Sequence, residues 1–394
     1  MIEYEVASAG AKREIRPAAP REPALGPLEL LPGTWANVRP EHRLINDDGT
    51  ENLFQGEGTL TAEGASPLDG RGWNIIALPF ATPDQQPNYR VLMNQYNEVL
   101  QFKKVDENIP NRGITQVSPP QKADQLVAAL DYEQMIAQIR AADFPVSGDA
   151  GDDLLPIHHE PGFFLRMRDQ TIEGTNIARL STIPHGDSLV ALGAFTERLH
   201  ELTEAPQIPD LSALPEGVGG GLEAFVNGID LDAPNGPRET YLLPYAHFAQ
   251  KPFKGVIPFP DGQGFSPINA NALLQASVQE FADRITKTTV LQMDTDAFEA
   301  GIVNIPFIVR QANAKVMNVT FWIMELNEMD EDGDPKLLLA YSQFIMLDFF
   351  GRADGKAGQI RWPHVSINIM EKVAKPPRPE DAGYPAMMTA RAQS

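Results

Sequence analysis

Three of the seven histidines of this chain lie close together in the sequence. His158 and His159 precede a segment of alternating apolar residues at 163–168, and His185 follows the next apolar segment, at 178–183. Alternation with a period of two is typical of a half-buried β-strand. Histidines at the ends of neighbouring strands can point into one cavity, so we expect a ligand site at this place.

The strongest candidate site consists of His159, His185 and His364, with Glu160 beside them. Neutral imidazole is the commonest nitrogen ligand of metals in proteins, and two or three histidines with a carboxylate suit zinc, iron or copper. One histidine opposite an open apolar face would suffice for haem. His158 should point away from its neighbour in a strand, and we therefore leave it out of the predicted site.

Aromatic side chains near these histidines could form the walls of a haem pocket. The candidates are Phe163, Phe164, Phe321 and Trp322. The alternative is that they are ordinary core residues. The histidines likewise have a second interpretation as turn residues with satisfied hydrogen bonds, because none of them has a recognised metal-ligand spacing such as H-x-x-x-H.

The sequence contains no motif for several other kinds of chemistry. The chain has no cysteine, which excludes disulfides, thiolate nucleophiles and cysteine-ligated metals. It also lacks a glycine-rich phosphate loop, a G-x-S-x-G elbow and an H-E-x-x-H helix. The acidic run at 330–334 resembles part of a calcium loop but has no glutamate at the twelfth position, so we interpret it as a charged turn.

The charge of the chain argues against two classes of partner. A net charge of -21 repels phosphate backbones and anionic lipids, so we expect neither nucleic acid nor a membrane surface as a partner. No apolar run approaches the length of about 20 residues that spans a bilayer. The first residues do not resemble a signal peptide, which favours the cytoplasm. The sequence leaves the oligomeric state open.

The pattern of elements predicts a mostly β protein. The 34 prolines and 31 glycines imply many turns and short elements. Strands are predicted at 72–78, 89–96, 99–104, 131–139, 188–197, 337–350 and 360–370. A tight hairpin is expected at Asn97-Glu98, and the one prominent helix is expected at 270–286.

A weak ordered similarity between the two halves suggests two β-barrels or half-barrels. The predicted organisation is a mobile tail at 1–24, a first β lobe at 25–202, a proline- and glycine-rich linker at 203–240, a second β lobe at 241–375 and a tail at 376–394.

The opening of the first lobe resembles that of the nitrobindin-like and fatty-acid-binding-protein-like barrels. More broadly, residues 25–370 resemble a bacterial and fungal family labelled haem-binding proteins. The residues that carry the resemblance are Leu25-Gly26-Pro27-Leu28, Gly33-Thr34-Trp35, 109–113, 159–162, 183–186, 304–307, Phe321-Trp322 and 362–365. The resemblance implies calycin-like barrels with a small-ligand pocket, and haem as the ligand, although nitrobindins lack the second lobe.

These observations lead to one leading hypothesis and two alternatives. The leading one is a protein that binds haem or another apolar small molecule in a barrel cavity, through His159, His185 or His364. The second is an enzyme that holds a non-haem metal ion with the same histidines and acts on a hydrophobic substrate. The third, a structural or interaction protein, would apply if side chains filled the barrels.

Overall fold

The fold is mostly β, as the sequence predicts. A computed structural model describes residues 13–37, 43–45, 51–56, 68–79, 87–151, 156–256, 262–297, 299–330, 332–348, 357–358 and 360–374. Its strands are β1 (Glu14–Pro17), β2 (Gly33–Ala36), β3 (Arg43–Ile45), β4 (Glu51–Gly56), β5 (Gly72–Pro79), β6 (Tyr89–Asn111), β7 (Gln125–Phe144), β8 (Pro156–Arg168), β9 (Ile177–Ile183), β10 (Asp187–Gly193), β11 (Glu201–Leu202), β12 (Ile285–Asp294), β13 (Gly301–Asn304), β14 (Asn313–Met329), β15 (Pro335–Asp348) and β16 (Arg361–Ala374).

Helices are few in comparison. They are a 3-10 helix at Pro23–Leu28 and the α-helices α1 (Glu197–His200), α2 (Leu222–Asn227), α3 (Gly236–Gln250), α4 (Asn271–Gln279) and α5 (Pro306–Gln311). Among the described residues, no helix is long and apolar enough to cross a membrane.

The large antiparallel sheet closes into a ring. From β12 it runs through β14, β15 and β16 to a position that β2 and β5 share end to end, and then through β6, β7, β8, β9 and β10. β2 pairs with one part of β6 and β5 with another, and both also pair with β16. The pairing of Leu192 in β10 with Asp294 in β12 joins the two ends of this series. The result is a barrel-like sheet with an inner and an outer face.

Both predicted lobes contribute to this one sheet. The pairings of β16 with β2 and of β10 with β12 cross the expected boundary at 203–240. The segment expected to be a linker contains α2 and the first residues of α3, and its Ala213, Val218 and Val226 are buried in a hydrophobic core. The sheet is therefore one ring to which each predicted lobe contributes a half-barrel, the second of the two predicted arrangements, because strands remote in sequence supply each other's edges.

The predicted tails, one hairpin and one helix differ in part from what the structure shows. Residues 14–17 of the expected mobile tail form β1 and pair with β6, whereas 1–12 and 376–394 lie outside the described residues. The hairpin at Asn97-Glu98 is wrong, because β6 continues through both residues. The helix expected at 270–286 ends at Gln279, and β12 begins at Ile285, where threonines favour a strand.

Two cores pack against the two faces of the ring. The inner core fills the end of the barrel that the 3-10 helix covers, and it includes Leu25, Leu28, Trp35, Phe102, Phe164 and Phe321. The outer core lies between the sheet and α3 and α4, and it includes Trp73, Tyr89, Tyr245, Trp322 and Trp362. The inner core extends along the barrel to Ile183 and Met317, and polar side chains share the inner face with it at the other end.

The closure of the ring depends on a glycine. A Cβ on Gly193 would lie 2.1 Å from the carbonyl oxygen of Gln292 in the neighbouring strand. Gly193→Ala is therefore expected to push β10 away from β12 and to lower the free energy of unfolding by about 1–3 kcal/mol. Urea denaturation measures this change. Gly220→Ala is the control, because its added Cβ would meet no atom within 4 Å; equal effects of the two substitutions would contradict the prediction.

Candidate ligand site at the histidine end of the barrel

Three imidazoles come together at the end of the barrel remote from the 3-10 helix. His158 lies in β8, His185 lies in the turn between β9 and β10, and their ring centroids are 6.1 Å apart. His364 in β16 interacts electrostatically with both. Gly186, with a φ of +109°, gives the turn the backbone conformation that carries His185 to this position. We call these three side chains the histidine cluster.

His364 is neutral in this environment. Burial, followed by the neighbouring imidazoles of His158 and His185, lowers the pKa of His364 to about 4. The side chain is half-buried, and its Nε2 lies 3.5 Å from the Ser366 hydroxyl oxygen, at the limit of a hydrogen bond. This nitrogen therefore retains the capacity to bind a ligand.

His159, which the sequence analysis placed in the site, lies on the outer face. Its Nε2 is 3.0 Å from Glu133 Oε1, and the same carboxylate accepts a hydrogen bond from Lys103 Nζ at 2.7 Å. Successive residues of a strand point to opposite faces, so only one of the two adjacent histidines can face inward. The inward one is His158, which the sequence analysis had left out. The predicted partners His185 and His364 do lie near each other.

Glu160 lies on the inner face and supports His158 directly. Its Oε2 is 3.2 Å from His158 Nε2, and its Oε1 accepts a hydrogen bond from Arg179 Nη2 at 2.6 Å and another from the Tyr132 hydroxyl. Burial on its own would raise the pKa of Glu160, but the charge of Arg179 and the contacts with His158 and Tyr132 hold it well below its usual range. Glu160 is therefore an ionised carboxylate inside the barrel.

None of the four aromatic residues predicted as walls of the ligand pocket faces the histidine cluster. Phe163 is 48% exposed on the outer face, and Trp322 belongs to the outer core. Their sequence neighbours Phe164 and Phe321 point inward and pack in the inner core. A shift of one residue along a strand exchanges the two faces of the sheet. For this reason Phe163 and Trp322 face away from the inside of the ring, where the histidine cluster lies.

Beneath the histidine cluster lies a layer of hydrogen-bonded polar side chains that was not predicted from the sequence, and we call it the polar floor. Arg179 lies in β9 and donates a hydrogen bond from Nη1 to Gln343 Oε1 at 2.8 Å. Beside it, Glu98 accepts hydrogen bonds from Gln134 and Asn368. A signal for this floor was present in the sequence, because Asn97-Glu98 interrupts a run of apolar strand residues. A buried polar pair and a surface turn give the same pattern.

Part of the inner face between floor and cluster retains exposed surface. Gln343, Ile345, His364 and Ser366 share the inner face of β15 and β16, and all four are half-buried. Their exposed surface faces the inside of the ring, since alternate residues of each strand point there. This part of the inner face is consequently not fully covered by neighbouring side chains.

The predicted metal set is not assembled. Within the ranges that the structure describes, no group of three or more histidine, aspartate or glutamate side chains is arranged to hold a metal ion. His159 is turned away from His185 and His364, and Glu160 is already bound to Arg179 and Tyr132. These contacts leave the neutral imidazole of His364 as the best donor.

Comparison with known proteins adds a likeness to one crystal structure. No family model and no curated protein matches the chain. A structure described as "Crystal Structure of Rv2717c from M. tuberculosis" is similar over 78% of this chain and 93% of that one, with 13% sequence identity and a TM-score of 0.26. The functional conclusion therefore rests on the geometry of the histidine end of the barrel.

Proposed function

We propose that the histidine end of the barrel binds a small molecule and that His364 is its direct contact. The observation that supports this most is a neutral imidazole on the inner face whose Nε2 makes a long contact of 3.5 Å with the Ser366 hydroxyl oxygen, which a ligand can replace. His158 and His185 flank His364 and lie nearer to solvent, since the His158 side chain is 23% exposed and His185 is exposed. In this arrangement they form the entrance through which the ligand reaches His364.

The chemistry of His364 fits haem as the first ligand to test. A single neutral histidine is a common axial ligand of haem iron, and no further protein ligand is required. Ile136 and Ile183, which are almost fully buried, provide apolar surface on the inner face of neighbouring strands. Bound haem would supply an iron centre for small-ligand or redox chemistry, while His364 would hold it and the other two imidazoles would line its entrance.

An absorbance titration of the purified protein with haemin tests the proposal. We expect a saturable shift of the Soret band, and we expect His364→Ala to weaken binding by at least about tenfold, since the loss of an interaction worth about 1.4 kcal/mol has that effect. His159→Ala is the matched control, because this histidine lies on the outer face and should leave the titration unchanged. Absence of a shift, or equal affinities of wild type and His364→Ala, would overturn the assignment.

A further inference from the structure

A second carboxyl group lies inside the barrel, and among the residues that the structure describes it has no cationic partner of the kind that Glu160 has. Glu98 in β6 is fully buried, and Gln134 Nε2 donates to its Oε1 at 2.6 Å. Asn368 Nδ2 and the Tyr341 hydroxyl are 2.9 and 2.7 Å from its Oε2. In the described part of the molecule, no lysine or arginine forms an ion pair with Glu98, whereas Glu160 is paired with Arg179.

A series of hydrogen-bond contacts begins at Glu98, and the number of protons that these contacts require can be counted. Oε2 of Glu98 lies 2.7 Å from the Tyr341 hydroxyl, which lies 2.9 Å from the Tyr96 hydroxyl, which lies 3.0 Å from the carbonyl oxygen of Ile367. Three oxygen–oxygen contacts at hydrogen-bond distance need three protons. The two phenols supply one each and the carbonyl supplies none. The third proton must therefore come from the carboxyl group of Glu98.

With that proton in place, every contact in the series is satisfied in one direction. A protonated Glu98 would donate to Tyr341 and Tyr341 would then donate to Tyr96, while Tyr96 donates to the carbonyl oxygen of Ile367, across the same three contacts. With Glu98 ionised, Tyr341 would have to donate to the carboxylate, and one of the other two contacts would bring oxygens together without a proton. The amide donors Gln134 and Asn368 are compatible with either form, because an acid oxygen can also accept.

The surroundings of Glu98 favour the same protonation state. Burial raises the pKa of Glu98 above its usual range, although the contacts with Asn368, Tyr341 and Gln134 and the charge of His158 act in the opposite direction. An ionised carboxylate buried without a cation is costly, and protonation removes that cost. The titratable groups that face Glu98 are Tyr96 in its own strand, Tyr341 in β15 and His158 in β8.

We propose that Glu98 is a carboxylic acid at neutral pH, so that the barrel contains a proton-donating glutamate and an ionised glutamate, Glu160, on either side of His158. Two carboxyl groups whose environments favour opposite protonation states are the usual arrangement for acid and base roles in one site. His158 interacts with both and extends toward the entrance. The interior thereby holds one neutral and one ionised carboxyl group that both interact with His158, whether or not the bound molecule is haem.

Infrared difference spectroscopy at pH 7 tests the protonation state directly. Subtracting the spectrum of Glu98→Gln from that of the wild type should leave the carbonyl band of a carboxylic acid and no carboxylate bands. Glu160→Gln is the matched control, because the same subtraction should leave carboxylate bands instead. Carboxylate bands in the Glu98 difference spectrum would overturn the proposal, independently of any result with haemin.

A second measurement covers the case in which the variant does not fold. Wild-type protein labelled with ¹³C at the glutamate side-chain carboxyl carbon should show, at pH 7, a buried resonance at the chemical shift of a neutral acid. That resonance should move only at alkaline pH, if it moves before unfolding. A spectrum in which every glutamate has the shift of a carboxylate would rule the proposal out.

Discussion

Replacement of Arg179 by leucine is expected to lower the free energy of unfolding by about 3–5 kcal/mol, the usual cost of removing one partner of a buried ion pair. The side chains of Arg179 and Glu160 are 3% and 1% exposed and lie 2.6 Å apart. Without the guanidinium, Glu160 would keep a buried charge or take up a proton. Arg179 also packs over the rings of Tyr132, Phe164 and Phe321, so leucine would forfeit these contacts too.

Urea denaturation of two further variants separates charge from packing. The double variant Arg179→Leu with Glu160→Leu removes both charges and should be more stable than Arg179→Leu alone. Arg112→Leu is the control for an exposed ion pair, because the side chain of Arg112 is 70% exposed beside Asp124, and its loss should cost less than about 1 kcal/mol. A double variant less stable than Arg179→Leu would show that the buried charge is not the cause.

The second large expected effect is that His364 makes the folded protein less stable in mild acid. Its pKa is about 4 in the folded protein and 6.5 as the reference value, so between these values the unfolded chain binds a proton that the folded chain does not. The contribution of neutral His364 to stability is therefore present above pH 6.5 and is lost as the pH falls toward 4. A shift of this size corresponds to about 3–4 kcal/mol.

Unfolding by urea at a series of pH values between 7 and 4 measures this loss. His247 has a pKa lowered by burial and by Lys251, and it contributes in the same direction. The comparison of wild type with His364→Gln isolates the contribution of His364, because glutamine does not titrate. We expect a shallower pH dependence for the variant, and parallel curves for the two proteins would contradict a neutral His364.

The strand pattern of this chain was predictable where local signals are strong. The alternation at 163–168 and the apolar residues at 72–78 predict β8 and β5 correctly. The single ring was not predictable, because pairings such as Glu371 with Ala36 join residues that no local pattern connects. Each half of the sequence is compatible with a barrel of its own or with a half-barrel, and the pairing across the middle decides in favour of half-barrels.

For the candidate site, the residue types were predictable from the sequence, whereas the direction of each side chain was not. That histidines remote in sequence gather at one end was predicted for His185 and His364, and these two do lie near each other. The choice of His159 over His158 was wrong because the alternation fixes only that adjacent residues differ in direction, not which of them points inward. Glu98 was missed because a polar residue within a strand looks, in sequence alone, like a residue of a turn.

Strand β16 has a consequence for the synthesis of this protein. It lies between β15 on one side and β2 and β5 on the other, so no earlier strand can occupy its place. While the ribosome is still producing residues 361–374, the first strands carry an unpaired edge that invites association with other chains. Chaperone protection during translation should therefore matter more for this chain than its composition suggests, and the histidine end acquires His364 only in that last step.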